Sequence, residues 1–85
     1  MNSSIKKSFR DRLAALPPDV RRLAYKNFRL WRDDSEHPSL HFKKVGRYWS
    51  VRIGRSYRAL AVETDNGYEW FWIGAHGEYD RLIKE

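Results

Sequence analysis

His76 stands at the end of an apolar run, Trp70–Ile73, and is followed by Gly77. The run predicts a buried strand, which would hold the histidine in one position. Gly77 leaves the backbone beside the ring open to a substrate. Because imidazole titrates near neutral pH, we interpret His76 as a candidate general acid or base; the alternative is a structural strand cap. Tyr79, three residues further on, faces the same way if a helix begins there.

Arg52 and Arg58 interrupt two apolar segments, VRI and YRALAV. Arginine keeps its charge and binds phosphate through two parallel hydrogen bonds. The two residues lie on neighbouring predicted strands, on either side of a turn that carries Arg55, so they could converge on one phosphate. The alternative is that each arginine faces solvent or pairs with a glutamate: Glu63, Glu69 or Glu78.

The cations of this chain are unevenly distributed. The formal net charge is +6, and residues 37–62 contain no acidic residue but six basic ones: Lys43, Lys44, Arg47, Arg52, Arg55 and Arg58. Surfaces that only face water usually mix both signs. The segment therefore predicts a nucleic-acid partner. Four of these residues are candidates for contacting the backbone phosphates, because attraction over several ångströms requires no fixed geometry: Lys43, Lys44, Arg47 and Arg55.

The elements that position these residues begin with two helices. Ile5, Phe9 and Leu13 recur every four residues, which predicts an amphipathic helix over residues 4–15. Pro17 and Pro18 end that pattern and can open the next helix, predicted over residues 18–33. Because the connection is so short, the two helices should form an antiparallel hairpin.

After Pro38 the apolar period changes to two, which predicts strands. Turns are expected at residues 46–47 and 54–56, and Asp65–Gly67 should close a hairpin between strands 57–64 and 68–75. The last residues can form one short helix. The predicted class is α+β: a helix hairpin packed on a three- or four-stranded antiparallel meander, with the C-terminal helix covering the second face.

Length and composition exclude several classes of function. The 85 residues predict one domain, 1–85, with no apolar run that could span a membrane and no signal peptide. The absence of cysteine fits a reducing cytosol. The three histidines lack metal-ligand spacing, and no glycine-rich phosphate loop is present. We therefore expect no metal, no other cofactor and no small-molecule substrate.

The chain resembles the RelE/ParE superfamily of bacterial toxin–antitoxin toxins, in a HigB-like or RelE-like branch. The resemblance covers roughly residues 5–83 and is carried by four segments: LAALPPDVRRLAYKNFRLWRDD, HPSLHFKKV, YWSVRIGRSYRALAVE and WFWIGAHGEYDRLI. The stretch W-S-V-R-I-G-x-x-Y-R-A-L is the most specific. The resemblance implies a RelE-like fold, a cytoplasmic location and an antitoxin that wraps the toxin with an extended or helical segment.

Nuclease members of this superfamily cut mRNA in the ribosomal A site without a metal. The arginine of their Y-R strand matches Arg58, and a basic residue on the preceding strand corresponds to Arg52. A histidine or arginine at the end of the last strand matches His76, and an aromatic residue beyond it matches Tyr79. The resemblance thus implies a metal-independent endoribonuclease that acts on mRNA and the ribosome and inhibits translation.

Two other functions remain open on the sequence. Gyrase-inhibiting relatives share the fold and generally do not preserve this residue set, so the chain could be a toxin without nuclease activity, or an inactive relative. It could also be a basic nucleic-acid-binding module, in which Arg47, Tyr48 and Tyr57 hold a strand by charge and stacking. Substitution of His76 separates the enzyme from both, because a binding protein should tolerate it.

Overall fold

The second helix begins and ends where the sequence predicts. The structure, a computed structural model, describes residues 2–84. Helix α1 spans Lys7–Ala14 and α2 spans Pro18–Asp33. Pro18 occupies the first turn of α2, where a missing N–H leaves no hydrogen bond unmade. Asp19, in the same turn, is favoured by the positive end of the helix. The prediction of a helix over residues 18–33 is confirmed.

The first helix begins later than predicted. Strand β1, Ser3–Ile5, precedes α1 and pairs in parallel with the last strand, so the prediction of helix from residue 4 is wrong for residues 4–6. The outer edge of that last strand needs hydrogen-bond partners, and this segment supplies them: Lys6 N donates to Trp70 O at 2.9 Å. Ile5 continues the helical spacing in the sequence, but its side chain remains 43% exposed.

Four further strands complete the sheet: β2 (Lys43–Val45), β3 (Tyr48–Ile53), β4 (Tyr57–Thr64) and β5 (Gly67–Ala75). The strand order is β1-β5-β4-β3-β2. Strands β2 to β5 form the predicted antiparallel meander. The α+β class is confirmed, but the sheet has five strands rather than three or four, because β1 adds a parallel strand at one edge. Leu40 lies in a 3₁₀ turn, Pro38–Leu40, instead of a strand.

Helices α1 and α2 cover one face of the sheet through aromatic contacts. Phe9 on α1 meets Phe28 on α2 edge to face, with ring centroids 5.5 Å apart. Trp31 on α2 meets Trp70 on β5 in the same geometry at 5.3 Å. Phe9, Trp31 and Trp70 are almost fully buried. Edge-to-face pairs add to the free energy gained from burial, so these rings fix how the helices sit on the sheet.

Helix α3, His76–Ile83, covers the other face, as predicted. A bulge in β5 adds a further aromatic side chain to this face. Leu60 pairs with Trp72 and the next residue, Ala61, pairs with Trp70, so Phe71 has no partner on β4. The extra residue shifts the side-chain alternation, and both Phe71 and Trp72 lie on the α3 face.

Helix α3 packs mainly on β4 and β5. The part of the same face formed by β2 and β3 lies beside the helix rather than under it. Side chains from these two strands and from α3 therefore form the walls and floor of a cleft. This cleft contains most of the residues that the sequence marks for chemistry.

The two turns around β3 offer a matched test of backbone strain. Gly46 and Gly54 both have φ of +62°. A Cβ at Gly46 would meet nothing within 4 Å, whereas at Gly54 it would lie 2.7 Å from Leu23 Cδ2. We expect Gly46→Ala to lower the free energy of unfolding by about 1–2 kcal/mol because alanine is strained in this conformation. Gly54→Ala should cost more because Leu23 must also move. Urea unfolding measures both, and equal losses would mean that Leu23 moves aside without cost.

Candidate catalytic cleft

Arg52 and Arg58 face each other directly across β3 and β4. Directly opposed residues of antiparallel strands point to the same side of the sheet, so both guanidinium groups emerge on the α3 face. Each is oriented by a backbone carbonyl. Arg52 Nε donates to Gly54 O at 3.0 Å, and Arg58 Nη1 donates to Tyr57 O at 2.8 Å. The convergence of the two arginines, which the sequence only suggested, follows from this register.

Neither arginine is neutralised by the glutamates that could have paired with it. Glu63 accepts a hydrogen bond from Trp49 Nε1 at 2.9 Å. The other two glutamates bind cations elsewhere: Glu69 binds Lys6 at 3.9 Å, and Glu78 binds Arg12 at 3.2 Å. Among residues 2–84, no carboxylate forms an ion pair with Arg52 or Arg58.

The environment of Arg58 disfavours its charge. Partial burial lowers the pKa of the Arg58 guanidinium, and the neighbouring charge of Arg52 lowers it further. Tyr79 and Asp80 act in the opposite direction, more weakly. Two like charges placed opposite each other repel. An anion bound between them would remove that repulsion, so the pair is suited to hold a phosphate.

His76 is the first residue of α3 and is held by both backbone and side chain. Its backbone N–H donates to Ser56 O at 2.8 Å. Its ring Nδ1 lies 3.2 Å from Asp80 Oδ2, one helical turn further on, and the side chain is 47% exposed. Because Nδ1 faces the carboxylate, Nε2 is the nitrogen available to a substrate. A histidine held by an aspartate in this way has a defined ring orientation for proton transfer.

Tyr79 lies between His76 and Arg58. Its ring centroid is 5.9 Å from that of His76, and the Arg58 guanidinium carbon lies 5.9 Å from the same ring. The side chain is only 5% exposed and packs with Leu60 and Trp72. Tyr79 thus belongs to the core of the α3 face and borders the cleft with its ring.

The cleft has a volume of about 280 Å³. Five of the residues that the sequence marked line it: Lys43, Arg52, Arg58, His76 and Tyr79.

The other three marked residues lie outside the cleft: Lys44, Arg47 and Arg55. Lys44 is next to Lys43 on β2 and points to the opposite face. Arg47 is in the turn after β2, with its guanidinium carbon 5.4 Å from the Tyr48 ring. Arg55, in the turn after β3, lines a neighbouring groove that shares Arg52 with the cleft.

Three residues that line the cleft were not identified as candidates from the sequence: Asp80, Ser50 and His41. The four-residue spacing of His76 and Asp80 on a predicted helix is a signal that could have found Asp80. The other two had no local signal. Ser50 is buried and pairs with Lys43 across β2 and β3. The His41 ring lies 3.5 Å from Arg52 Nη1, a contact between residues eleven positions apart.

The lining of the cleft is suited to acid–base and electrostatic chemistry on an anion. It combines three permanent cations with two imidazoles and one carboxylate. Within residues 2–84, no three His, Asp or Glu side chains are grouped so that they could hold a metal ion. The expectation that the protein works without a metal stays a prediction.

Comparison with known proteins identifies the class. A model of the ParE-like toxin domain matches residues 18–81. The chain therefore belongs to the ParE-like toxin family and is a toxin of the RelE/ParE superfamily, as its sequence segments suggested. No curated protein sequence matches it. Among residues 2–84, none of the helices has the length and apolar character needed to cross a membrane.

Solved structures agree with this fold. One similar chain is from the RelB–RelE antitoxin–toxin complex of Methanococcus jannaschii, with a TM-score of 0.67 and 17% identity, covering 92% of this chain and 95% of that one. Another is from the archaeal RelE–RelB complex of Pyrococcus horikoshii OT3, with a TM-score of 0.65 and 16% identity, covering 89% and 94%. At these identities the likeness concerns the fold alone.

Proposed function

We propose that this toxin is a metal-independent endoribonuclease that cleaves mRNA on the ribosome and so inhibits translation. One observation carries the proposal: the unneutralised pair Arg52 and Arg58 shares a cleft with His76, whose Nδ1 lies 3.2 Å from the Asp80 carboxylate. The first pair is suited to bind a phosphate and the second to move a proton. A protein that only binds nucleic acid needs the cations but has no need for an oriented histidine beside them.

The chemistry uses the RNA's own 2′-hydroxyl. The 2′-oxygen attacks the adjacent phosphorus and the bond from phosphorus to the 5′-oxygen of the next nucleotide breaks, leaving a 2′,3′-cyclic phosphate and a 5′-hydroxyl. A base takes the 2′-hydroxyl proton, cations stabilise the charge that builds on the phosphate, and an acid protonates the leaving 5′-oxygen. His76 fits a proton-transfer role and Arg52 with Arg58 the electrostatic role. Tyr79 borders both.

The other cations serve RNA binding in this proposal. Lys43 is inside the cleft and is placed to contact a phosphate next to the scissile one. Arg55, Arg47 and Lys44 lie outside the cleft and would attract the RNA or ribosomal backbone through charge alone. No acidic residue occurs within residues 37–62, so nothing in this stretch of the sequence opposes that attraction.

We also propose that a cognate antitoxin binds this toxin in the cytoplasm. Both similar structures are complexes of a RelE with its RelB antitoxin. In this chain, a groove between β1, α1 and α2 leaves Ile5 and Tyr25 exposed beside Arg10, Arg29 and Arg32. An amphipathic segment with acidic residues would cover this surface and leave no large exposed apolar patch.

Expression of the chain without an antitoxin tests the proposed function. We expect growth arrest together with truncated mRNAs, because cleavage of mRNA on the ribosome stops translation and leaves shortened messages. Growth curves and mapping of new mRNA ends measure the two effects. The His76→Gln variant, expressed to the same soluble level, is the matched control and should permit growth.

The outcomes separate the alternatives. Normal growth with intact transcripts, at verified soluble expression, would overturn the nuclease proposal. Growth arrest with intact transcripts that persists in His76→Gln would instead indicate a toxin that acts by binding, such as a gyrase inhibitor. A change in plasmid supercoiling in the same cells would identify the latter directly.

A further inference from the structure

A second histidine reaches the cleft from the side opposite His76. The strand order is β5-β4-β3-β2, with Arg58 on β4 and Arg52 on β3. His76 follows β5 directly, and His41 lies two residues before β2. Both line the same cleft. Two imidazoles therefore flank the arginine pair, one on each side.

The backbone holds His41 in an unusual conformation. Its φ of +47° makes it the one non-glycine residue with positive φ among residues 2–84. Its neighbours on both sides are anchored in the core: Leu40 is fully buried, and Phe42 stacks on Trp49 with ring centroids 4.9 Å apart. Residues kept in the left-handed region by surrounding packing cluster at functional sites. Here the packing of Leu40 and Phe42 leaves the His41 side chain exposed at the mouth of the cleft.

The two rings have neighbours of opposite charge. His41 Nε2 lies 3.5 Å from the Arg52 guanidinium, which can only donate, so in this contact the nitrogen can act only as an acceptor. His76 Nδ1 lies 3.2 Å from the Asp80 carboxylate, which when ionised can only accept, so towards this neighbour the nitrogen can act only as a donor. Pairs of titratable groups in contrasting surroundings are the pattern by which acid and base are assigned in an active site.

We infer that His41 is the second proton-transfer residue of the cleft: it takes the proton from the 2′-hydroxyl, and His76 with Asp80 gives a proton to the leaving 5′-oxygen. This inference rests on the proposed ribonuclease function. As the 2′-oxygen bonds to phosphorus, its proton moves to His41 Nε2. As the bond from phosphorus to the 5′-oxygen breaks, the proton on His76 Nε2 moves to that oxygen. Water later returns both rings to their starting states.

Arg52 links substrate binding to the base. Its contact with His41 is at the outer limit of a hydrogen bond, so it is weak. A phosphate bound between Arg52 and Arg58 makes a stronger, charge-assisted bond with the guanidinium. Arg52 then turns from His41 to the phosphate, and His41 Nε2 becomes free to accept the 2′-hydroxyl proton. The base is thus released only when substrate is present.

Each strand and helix that lines the cleft contributes a charged or titratable group near the two histidine rings. Those in the cleft are Lys43 on β2, Arg52 on β3, Arg58 on β4, and Tyr79 and Asp80 on α3. His41 also borders the neighbouring groove, which adds Lys26, His37 and Arg55. Cations therefore predominate around His41, whereas His76 has the one carboxylate of the cleft at its side.

A substrate with sulfur in place of the 5′-bridging oxygen distinguishes the two roles. A thiolate leaves without being protonated, so this linkage needs a base but no acid. We expect His41→Asn, chosen because asparagine also tolerates the left-handed conformation, to slow cleavage of ordinary RNA by ~10²–10⁴-fold. It should stay slow on the sulfur substrate. His76→Gln should be equally slow on ordinary RNA and recover most of its rate on the sulfur substrate.

The pH dependence of cleavage on mRNA-programmed ribosomes provides an independent readout. For the wild type, the cleavage rate plotted against pH should have a rising limb and a falling limb, one from each histidine. His41→Asn should lose the limb that rises with pH, and His76→Gln the limb that falls. His37→Gln is the matched control and should keep both limbs, since its ring accepts from Ser39 N at 3.2 Å outside the cleft.

The outcomes separate this inference from the proposed function. If the wild type cleaves RNA and folded His41→Asn keeps its rate and both limbs, the inference is overturned and the ribonuclease proposal survives. Recovery of His41→Asn on the sulfur substrate would reverse the two roles and also overturn it. If the wild type cleaves neither substrate, the ribonuclease proposal itself fails. Thermal melting of each variant, with His41→Gln as a second replacement, keeps loss of folding apart from loss of chemistry.

Discussion

Replacing His76 by glutamine is expected to slow RNA cleavage by ~10²–10⁴-fold, the range that general acid–base catalysis contributes. Glutamine has a similar size and can hydrogen-bond to Asp80, but it cannot release or accept a proton near neutral pH. Binding of RNA or ribosomes should change little, because the arginines remain in place. Single-turnover cleavage on mRNA-programmed ribosomes, together with a binding titration, separates the two effects.

Stability is the control for this variant. His76 is half exposed and its contact with Asp80 is on the surface, so the free energy of unfolding should change by no more than ~0.5 kcal/mol. An unfolded variant whose remaining folded molecules cleave at the wild-type rate would mean that His76 only caps β5. The active residues would then have to be sought elsewhere on the basic face.

Replacing Arg58 by alanine is expected to reduce the cleavage rate by ~10²–10³-fold, as removal of one preorganised donor does in other enzymes. RNA binding should weaken as well, because the proposed role of Arg58 is to contact the phosphate both before and during the reaction. Lysine at this position should restore part of the binding but less of the rate, since it lacks the planar fork that fits a phosphate. Arg22→Ala, an exposed arginine of α2 away from the cleft, is the matched control and should cleave normally.

For the same variant we predict no loss of stability, in contrast to its loss of activity. The pKa of Arg58 is lowered by burial and by Arg52, which means that the folded state disfavours its charge. Removing the guanidinium relieves this repulsion, so Arg58→Ala should be no less stable than the wild type. Active sites commonly sacrifice stability for function in this way. A strongly destabilised Arg58→Ala that cleaves normally per folded molecule would assign the residue a structural role instead.

Three features of this protein could be predicted from the sequence because they depend on neighbouring residues. The bounds of α2 follow from Pro18 at its start and the apolar spacing along it. The meander of β2 to β5 follows from the two-residue period and from turns at Gly46, Gly54 and Gly67. The basic segment 37–62 is visible in composition alone. The helix and the strands follow from local conformational preference and periodicity, and the basic segment follows from composition. None of the three depends on contacts between distant residues.

The start of α1 depended on a contact that the sequence does not display. Ile5 continues the helical spacing of Phe9 and Leu13, yet residues 3–5 are extended because the edge of β5 offers them hydrogen bonds. Unpaired backbone groups at a strand edge outweigh the weak helical preference of this segment. The shifted alternation at Phe71 in β5 has the same kind of cause, since a bulge is defined only against the partner strand.

Which of the marked residues share the cleft was also decided by tertiary structure. Lys43 and Lys44 are equivalent in the sequence, but the pairing of Lys43 with Ser50 places only the first on the α3 face. The opposition of Arg52 and Arg58 likewise follows from the register of β3 and β4. A shift of one residue would have turned one arginine of the pair to the other face. Strand register and chain packing, which sum many distant contacts, bring His41 and His76 to opposite sides of one arginine pair, and no local pattern in the chain specifies that arrangement.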